Sequence, residues 1–280
     1  MKLLLTGNKQ VVAGDVSMWS AAQAIQLFGI RVGIQTNQAE WMERLESHFP
    51  PLWQPVSAGV VDRVFSFRFG KTTHTLFEND ELTLKARSLK QVLETFERQL
   101  KMYVAEMARR RVFVHAGAVA WNGKAIILPA DSFSGKTTFV AEFVRRGAVY
   151  YSDEYAILDE NGHVHPFPRP LSIRSESGEL DRINVPVESL GGSAGIDPLP
   201  VSLVLLMKHR SHARWKPEVL SPGVGVLKMV SQAISMRSQT KFTLEVLNCV
   251  ARRAIIIETL RGGAERSVSK IIDFVDKSVF

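Results

Sequence analysis

Apolar residues recur along this chain at two spacings, and the change from one to the other marks its elements. Trp41, Leu45 and Phe49 repeat every fourth residue. Asn37 stands before them as a cap and Glu40 occupies the third helical position, which predicts a helix from about Gln38 to His48 closed by Pro50-Pro51. Phe65, Phe67 and Phe69 then alternate with Ser66 and Arg68, as in a half-buried strand. Leu76-Phe77 and Leu82 to Leu84 flank the turn-like Glu78-Asn79-Asp80, so the expectation is an antiparallel sheet. Ser88 to Gln91 forms a capping box that opens a long helix, with Leu89, Val92, Leu93, Phe96, Leu100, Tyr103, Val104 and Met107 on one face. Arg109-Arg110-Arg111 ends it, where cations suit the negative pole of a helix.

From Val112 the pattern changes. A strand through Val119, a hairpin turn at Asn122-Gly123 and an apolar strand from Ala125 to Leu128 lead into a loop containing Gly135-Lys136. Farther on, Val201 to Met207 and Ala254 to Leu260 read as buried strands, while Val224 to Met236, Lys241 to Val250 and Glu265 to Val275 read as helices. Gly191 to Gly195, followed by Pro198 and Pro200, reads as a mobile loop. The expected organisation is a small α+β domain over residues 1–111, ending in a connecting helix, and an α/β domain over residues 112–280.

Composition narrows the class. A chain of 280 residues with 45% hydrophobic content can bury a sizeable core, so disorder is not the expectation. Its single cysteine, Cys249, permits no intrachain disulfide and fits a reducing compartment. The apolar start Met1 to Leu5 is cut short by Thr6 to Gln10, and the later apolar runs are strand-sized, so a cytoplasmic protein without membrane association is expected. The net charge of +7 suggests an anionic partner. No zinc-ligand spacing or aromatic-basic motif favours nucleic acid, and the basic run Lys208 to Lys216 reads as a solvated loop or a dock for acidic peptide groups.

The loop between Leu128 and the next helix carries the chemistry. A phosphate site needs a strand, a turn whose N–H groups converge on an anion, and a helix whose positive end adds to that field. Ala125 to Leu128 supplies the strand, Ala130-Asp131-Ser132-Phe133-Ser134-Gly135-Lys136-Thr137 the turn, and Phe139, Val140, Phe143 and Val144 the apolar stripe of a helix that stops at Gly147. Lys136 can reach β- and γ-phosphates and Thr137 can hold Mg²⁺. Ala130 stands where such loops usually begin with glycine, and Phe133 where they carry small residues. The strand Ala148 to Ser152 should run parallel to the loop's own strand and bring Asp153 and Glu154 to the same carboxyl edge, where open α/β sheets bind ligands. One carboxylate there can hold Mg²⁺ and another can take a proton from an attacking hydroxyl. His115 lies on the preceding strand, either beside Asp153 or as a core histidine. Arg169 and Arg174 are either charge stabilisers for a phosphoryl group or surface arginines.

The ordered set His115-Ala116-Gly117-Ala118-Val119, Ala130 to Thr138, Arg146-Gly147 and Ser152-Asp153-Glu154 resembles the catalytic domain of HPr kinase/phosphorylase and its relatives. The resemblance spans roughly Phe113 to Arg174, with Pro166 to Ser172 closer to the divergent relatives. It implies a P-loop kinase fold similar to phosphoenolpyruvate carboxykinase, binding of ATP with Mg²⁺, and phosphorylation of a serine hydroxyl. It further implies Asp153 as base, His115 as its partner, Lys136 as the phosphate contact and Thr137 as the metal contact. Glu154 stands where the family has a second aspartate, and the family's Glu-x-Arg-Gly-x-Gly segment is missing. The chain looks closer to relatives that phosphorylate a serine of lasso-type precursor peptides. The best-known members assemble as hexamers, which raises homo-oligomerisation as an expectation.

The expected site therefore comprises Asp153, His115, Lys136 and Arg169 for catalysis. Asp131, Ser132, Phe133, Ser134, Gly135, Lys136, Thr137 and Thr138 would bind the nucleotide, and Thr137, Asp153 and Glu154 the Mg²⁺. The expected reaction is transfer of the γ-phosphoryl of ATP to a serine of a peptide or protein, with the first domain aiding recognition. A small-molecule kinase and a nucleotide sensor without catalysis are the competing readings.

Overall fold

A computed structural model of the protein describes residues 4–5, 18–57, 59–130, 134–174 and 182–277. The chain forms two compact units, Met1–Arg109 and Arg110–Phe280, divided within the arginine run that follows the long helix.

The first unit contains β1 (Leu4–Leu5), β2 (Ala21–Leu27), β3 (Ile30–Thr36), α1 (Trp41–Glu46), β4 (Gln54–Val56), β5 (Val60–Val61), β6 (Arg63–Phe69), β7 (His74–Glu78), β8 (Glu81–Ala86) and α2 (Leu89–Met107). Its main sheet has the order β4-β2-β3-β6-β7-β8. The three segments expected to pair antiparallel, β6, β7 and β8, do so. The whole sheet is mixed, because the crossover through α1 returns the chain in its original direction and β3 pairs parallel with β6. Helix α1 is shorter than expected. Asn37 does not cap it; the Asn37 amide instead donates to the Phe69 carbonyl (3.1 Å) and accepts from the Phe69 N–H (2.8 Å), so this side chain closes a strand end. Ser88 does cap α2, accepting from the Gln91 N–H at 3.3 Å. The buried stripe of α2 is Val92, Phe96, Leu100, Tyr103 and Val104, while Met107 is exposed. Phe96 packs edge-on against Phe65 and Phe67, and so joins the helix to the alternating strand.

The second unit is mixed α/β: β9 (Val112–Trp121), β10 (Lys124–Pro129), α3 (Lys136–Arg145), β11 (Val149–Ser152), β12 (Tyr155–Leu158), β13 (His163–His165), β14 (Leu171–Arg174), β15 (Arg182–Val185), β16 (Leu199–His209), β17 (Glu218–Val219), α4 (Pro222–Val230), α5 (Thr240–Arg253), β18 (Ile255–Arg261) and α6 (Ala264–Lys277). Asn122 and Gly123 both take positive φ, 50° and 74°, which is the geometry of a tight hairpin between β9 and β10. Strands β10, β16 and β18 run parallel in that order, so all three end at one edge. Strand β11 pairs antiparallel with β9, as β10 does, and therefore runs parallel to β10 with β9 between them.

Helices cover both faces of this sheet. Ile126 and Leu128 of β10 point to α3 and α6, where Phe139, Phe143, Val268 and Ile271 are buried. Ala125 and Ile127, on the other face, join Met229 of α4 and Val246, Leu247 and Val250 of α5. The region expected as one helix from Val224 to Met236 is divided, with α4 ending at Val230 and a 3₁₀ turn at Ile234–Arg237. There the backbone turns to bond β9, the His115 N–H donating to the Gln232 carbonyl at 2.8 Å. The glycine-rich segment is bonded to a strand rather than standing apart as a loop. Tyr150 donates its N–H to the Ser193 carbonyl and accepts from the Gly195 N–H at its own carbonyl, so the segment runs along β11. The close approach requires a residue without Cβ at Gly192, where a Cβ would stand 2.3 Å from Val144 Cγ1. Among the described residues, no helix is long and apolar enough to cross a membrane.

Candidate functional site

The turn after β10 enters α3 through Gly135, whose φ of 86° is left-handed and aims the first helical N–H groups back toward the loop. The Lys136 ammonium donates to the Ala130 carbonyl at 2.7 Å and folds over the loop's opening. Ala130 is anchored from behind, its N–H donating to the His115 carbonyl at 3.3 Å. Ser134 and Gly135 are half-buried at the helix start and Thr138 is exposed on its first turn. Asp131, Ser132 and Phe133 lie outside the described residues.

Thr137 points to the carboxylate that follows β11. Its hydroxyl donates to Asp153 Oδ2 at 2.9 Å. The Tyr150 hydroxyl approaches the other oxygen, Oδ1, at 3.0 Å and stands 3.0 Å from the Arg169 carbonyl. Asp153 is only 8% exposed and Tyr150 is fully buried. Burial pushes the Asp153 carboxyl above its ordinary range, and its bonds with Thr137 and Tyr150 together with the nearby Arg169 charge oppose that rise only in part. Burial likewise drives the Tyr150 phenol upward, and the adjacent Asp153 charge adds to it, so this hydroxyl stays protonated.

Two of the expected site residues neutralise each other: Arg169 forms an ion pair and hydrogen bond with Glu154 Oε2. Both are half-buried, and the pair borders Asp153. His115 lies opposite Tyr155 in the β9–β12 ladder, not opposite Asp153, and its ring centroid is 6.3 Å from that of Tyr155. Arg174 closes β14, where it pairs with Arg182 of β15.

The Thr137 hydroxyl and Asp153 carboxylate form a pair of hard oxygen donors at the start of a helix. That pair suits Mg²⁺, which takes one or two carboxylates and fills its remaining positions with water and phosphate oxygens.

Two neighbours escaped the sequence reading. Tyr150 had a signal, a hydroxylated aromatic three residues before Asp153, but the register shift between Tyr150 and Ser152 that turns both toward one point is not written in the pattern. Arg261 also had one, an arginine ending a buried strand before Gly262-Gly263. Only the parallel order β10-β16-β18 brings it to the loop, where it donates to the Ser134 carbonyl. In comparisons with known proteins, no family model and no curated protein matches this chain.

Proposed function

We propose that the second unit is a P-loop kinase domain that transfers the γ-phosphoryl group of ATP to a serine hydroxyl of a peptide or protein. The observation that carries this reading is the Thr137–Asp153 hydrogen bond. It joins the first turn of a helix that follows a glycine-lysine loop to a buried carboxylate at the end of a parallel strand.

In this reading the loop N–H groups and Lys136 receive the β- and γ-phosphates. Lys136 exchanges the Ala130 carbonyl for phosphate oxygens, a stronger partner for an ammonium. Mg²⁺, when bound at Thr137 and Asp153, supplies positive charge to those oxygens. Asp153 accepts the proton as the serine oxygen bonds to the γ-phosphorus, and the bond from that phosphorus to the bridging oxygen breaks to leave ADP. Tyr150 orients Asp153, and Arg169 holds Glu154 beside it. The resemblance to HPr kinase-type enzymes, and within them to those acting on lasso-type precursor peptides, supports a ribosomally made peptide as acceptor and the first unit as an aid to its recognition.

The test is transfer of labelled γ-phosphate from ATP-Mg²⁺ to serine-bearing peptides encoded near this gene, comparing wild type with Lys136→Ala and Asp153→Asn. Label on peptide only with wild type is the expected result. Tight ATP binding with no transfer to any serine peptide or small-molecule acceptor would replace the kinase reading with a nucleotide sensor.

A further inference from the structure

Arg261 is the last residue of β18, and the two strands beside it in parallel order end at the same edge. From there its side chain crosses the end of β16 toward α3. The guanidinium lies over the Phe139 ring, 4.5 Å from the centroid. One nitrogen donates to the Ser134 carbonyl and the other to the Gly262 carbonyl at 3.3 Å. The helix start leaves this group its space: a Cβ on Gly135 would stand 2.7 Å from Arg261 Nη2. Arg261 and Lys136 line the same recess with Ala130, Ser134 and Leu205.

The charge of this group is poorly compensated. Arg169 pairs with Glu154, Arg146 with Glu142 and Arg110 with Glu160, whereas among the described residues Arg261 has no carboxylate partner. Its neighbours are neutral carbonyls and an aromatic face, and burial alone pulls its pKa below the ordinary arginine value. A half-buried guanidinium held by neutral acceptors gains from an incoming anion, because an ion pair adds charge–charge attraction that a carbonyl acceptor does not supply.

We propose that Arg261 is a phosphate-contacting residue of the loop, one that releases the Ser134 carbonyl and takes an oxygen of a bound polyphosphate chain. The inference rests on the nucleotide-binding reading above and adds a second cation to Lys136, on the flank of the loop away from Asp153.

Calorimetric titration of the full chain with ATP-Mg²⁺ and with inorganic tripolyphosphate tests this, using wild type, Arg261→Gln and Arg261→Lys. Tripolyphosphate removes any contribution from the base and sugar. The expected result is roughly 10- to 30-fold weaker binding of both ligands by Arg261→Gln, or about 1.4–2 kcal/mol. That variant should also lose affinity less steeply with added salt, because one charge is gone. Arg261→Lys should recover part of the affinity and the wild-type salt response. Equal affinities for wild type and Arg261→Gln would overturn the proposal while leaving the nucleotide site intact. So would equal weakening by both variants with an unchanged salt response, which marks a mere prop for the loop. Wild type that binds neither ligand would overturn the nucleotide reading and this inference together.

Discussion

Replacing Asp153 with asparagine should make the protein more stable and less active, and the two effects have one cause. The Asp153 carboxylate is 8% exposed and is served by two neutral hydroxyls, at 2.9 and 3.0 Å. Its folded-state pKa lies above the ordinary 3.8, chiefly through burial. The folded protein thus holds this proton more tightly than the unfolded chain does. The stability linked to that proton is complete below the ordinary value and is lost as pH rises through the folded value. At neutral pH the wild type carries the cost of an ionised buried carboxylate, about 1.4 kcal/mol for each pKa unit of elevation. Asparagine has nearly the same shape, keeps one acceptor oxygen for Tyr150 and offers an amide donor to the Thr137 hydroxyl. The relief of charge outweighs one weakened hydrogen bond and leaves the variant more stable than wild type at pH 7.5. For a unit of this size each kcal/mol of added stability raises Tm by roughly 2–4 °C. Loss of the base should slow phosphoryl transfer by about 10²- to 10⁴-fold. Thermal melts without nucleotide at pH 7.5 and 4.5, followed by circular dichroism, read the first effect, and labelled transfer reads the second. The stability gain should shrink at the lower pH. A variant that melts below wild type at pH 7.5, with the same difference at pH 4.5, would refute the strained carboxylate. Wild-type turnover by that variant would refute the base.

Tyr150→Phe removes the one hydroxyl that reaches both Asp153 and the Arg169 carbonyl, and should cost about 1–2 kcal/mol in chemical denaturation. Because the Tyr150 bond lowers the Asp153 pKa, its loss should also move the acid limb of the kcat/KM profile to higher pH, and an unmoved limb would remove Tyr150 from the site. Gly192→Val drives branched carbons into Val144 and Val187, the nearest of which a Cβ alone would meet at 2.3 Å. It should destabilise the second unit by about 1–3 kcal/mol in the same denaturation assay, and wild-type stability would show that the segment along β11 can yield.

The parts of the site legible in the sequence are those built from neighbours in the chain. The strand Ala125 to Leu128 and the apolar stripe from Phe139 to Val144 announce a strand and a helix, and the structure contains both in that order, with Gly135 at the helix start. Asn122-Gly123 fixes its hairpin for the same reason: two residues that tolerate positive φ determine the turn without help from elsewhere. Where a local signal met a distant competitor, it lost. Asn37 has the chemistry of a helix cap, yet its amide is spent on both backbone groups of Phe69. The glycines from Gly191 to Gly195 look like a flexible tract, yet Val144 of α3 leaves no room for a Cβ at Gly192 and Tyr151 of β11 leaves none at Gly195.

The sequence by itself determined the strand that ends at Pro129, the helix that begins at Lys136, and the strand that leads into Asp153. Each rests on backbone conformations and side-chain periods that act within one element and its turn. Only the tertiary structure decided which charges are already paired and which are not. Arg169 meets Glu154 because a connection folds back beside Asp153. Arg261 reaches Ser134 because β16 and β18 add in parallel order beside β10, bringing together residues more than a hundred positions apart. That order is set by burying the apolar faces of the strands between α3 and α6 on one side and α4 and α5 on the other. The free energy of such burial belongs to the packed whole, and no stretch of sequence carries it alone.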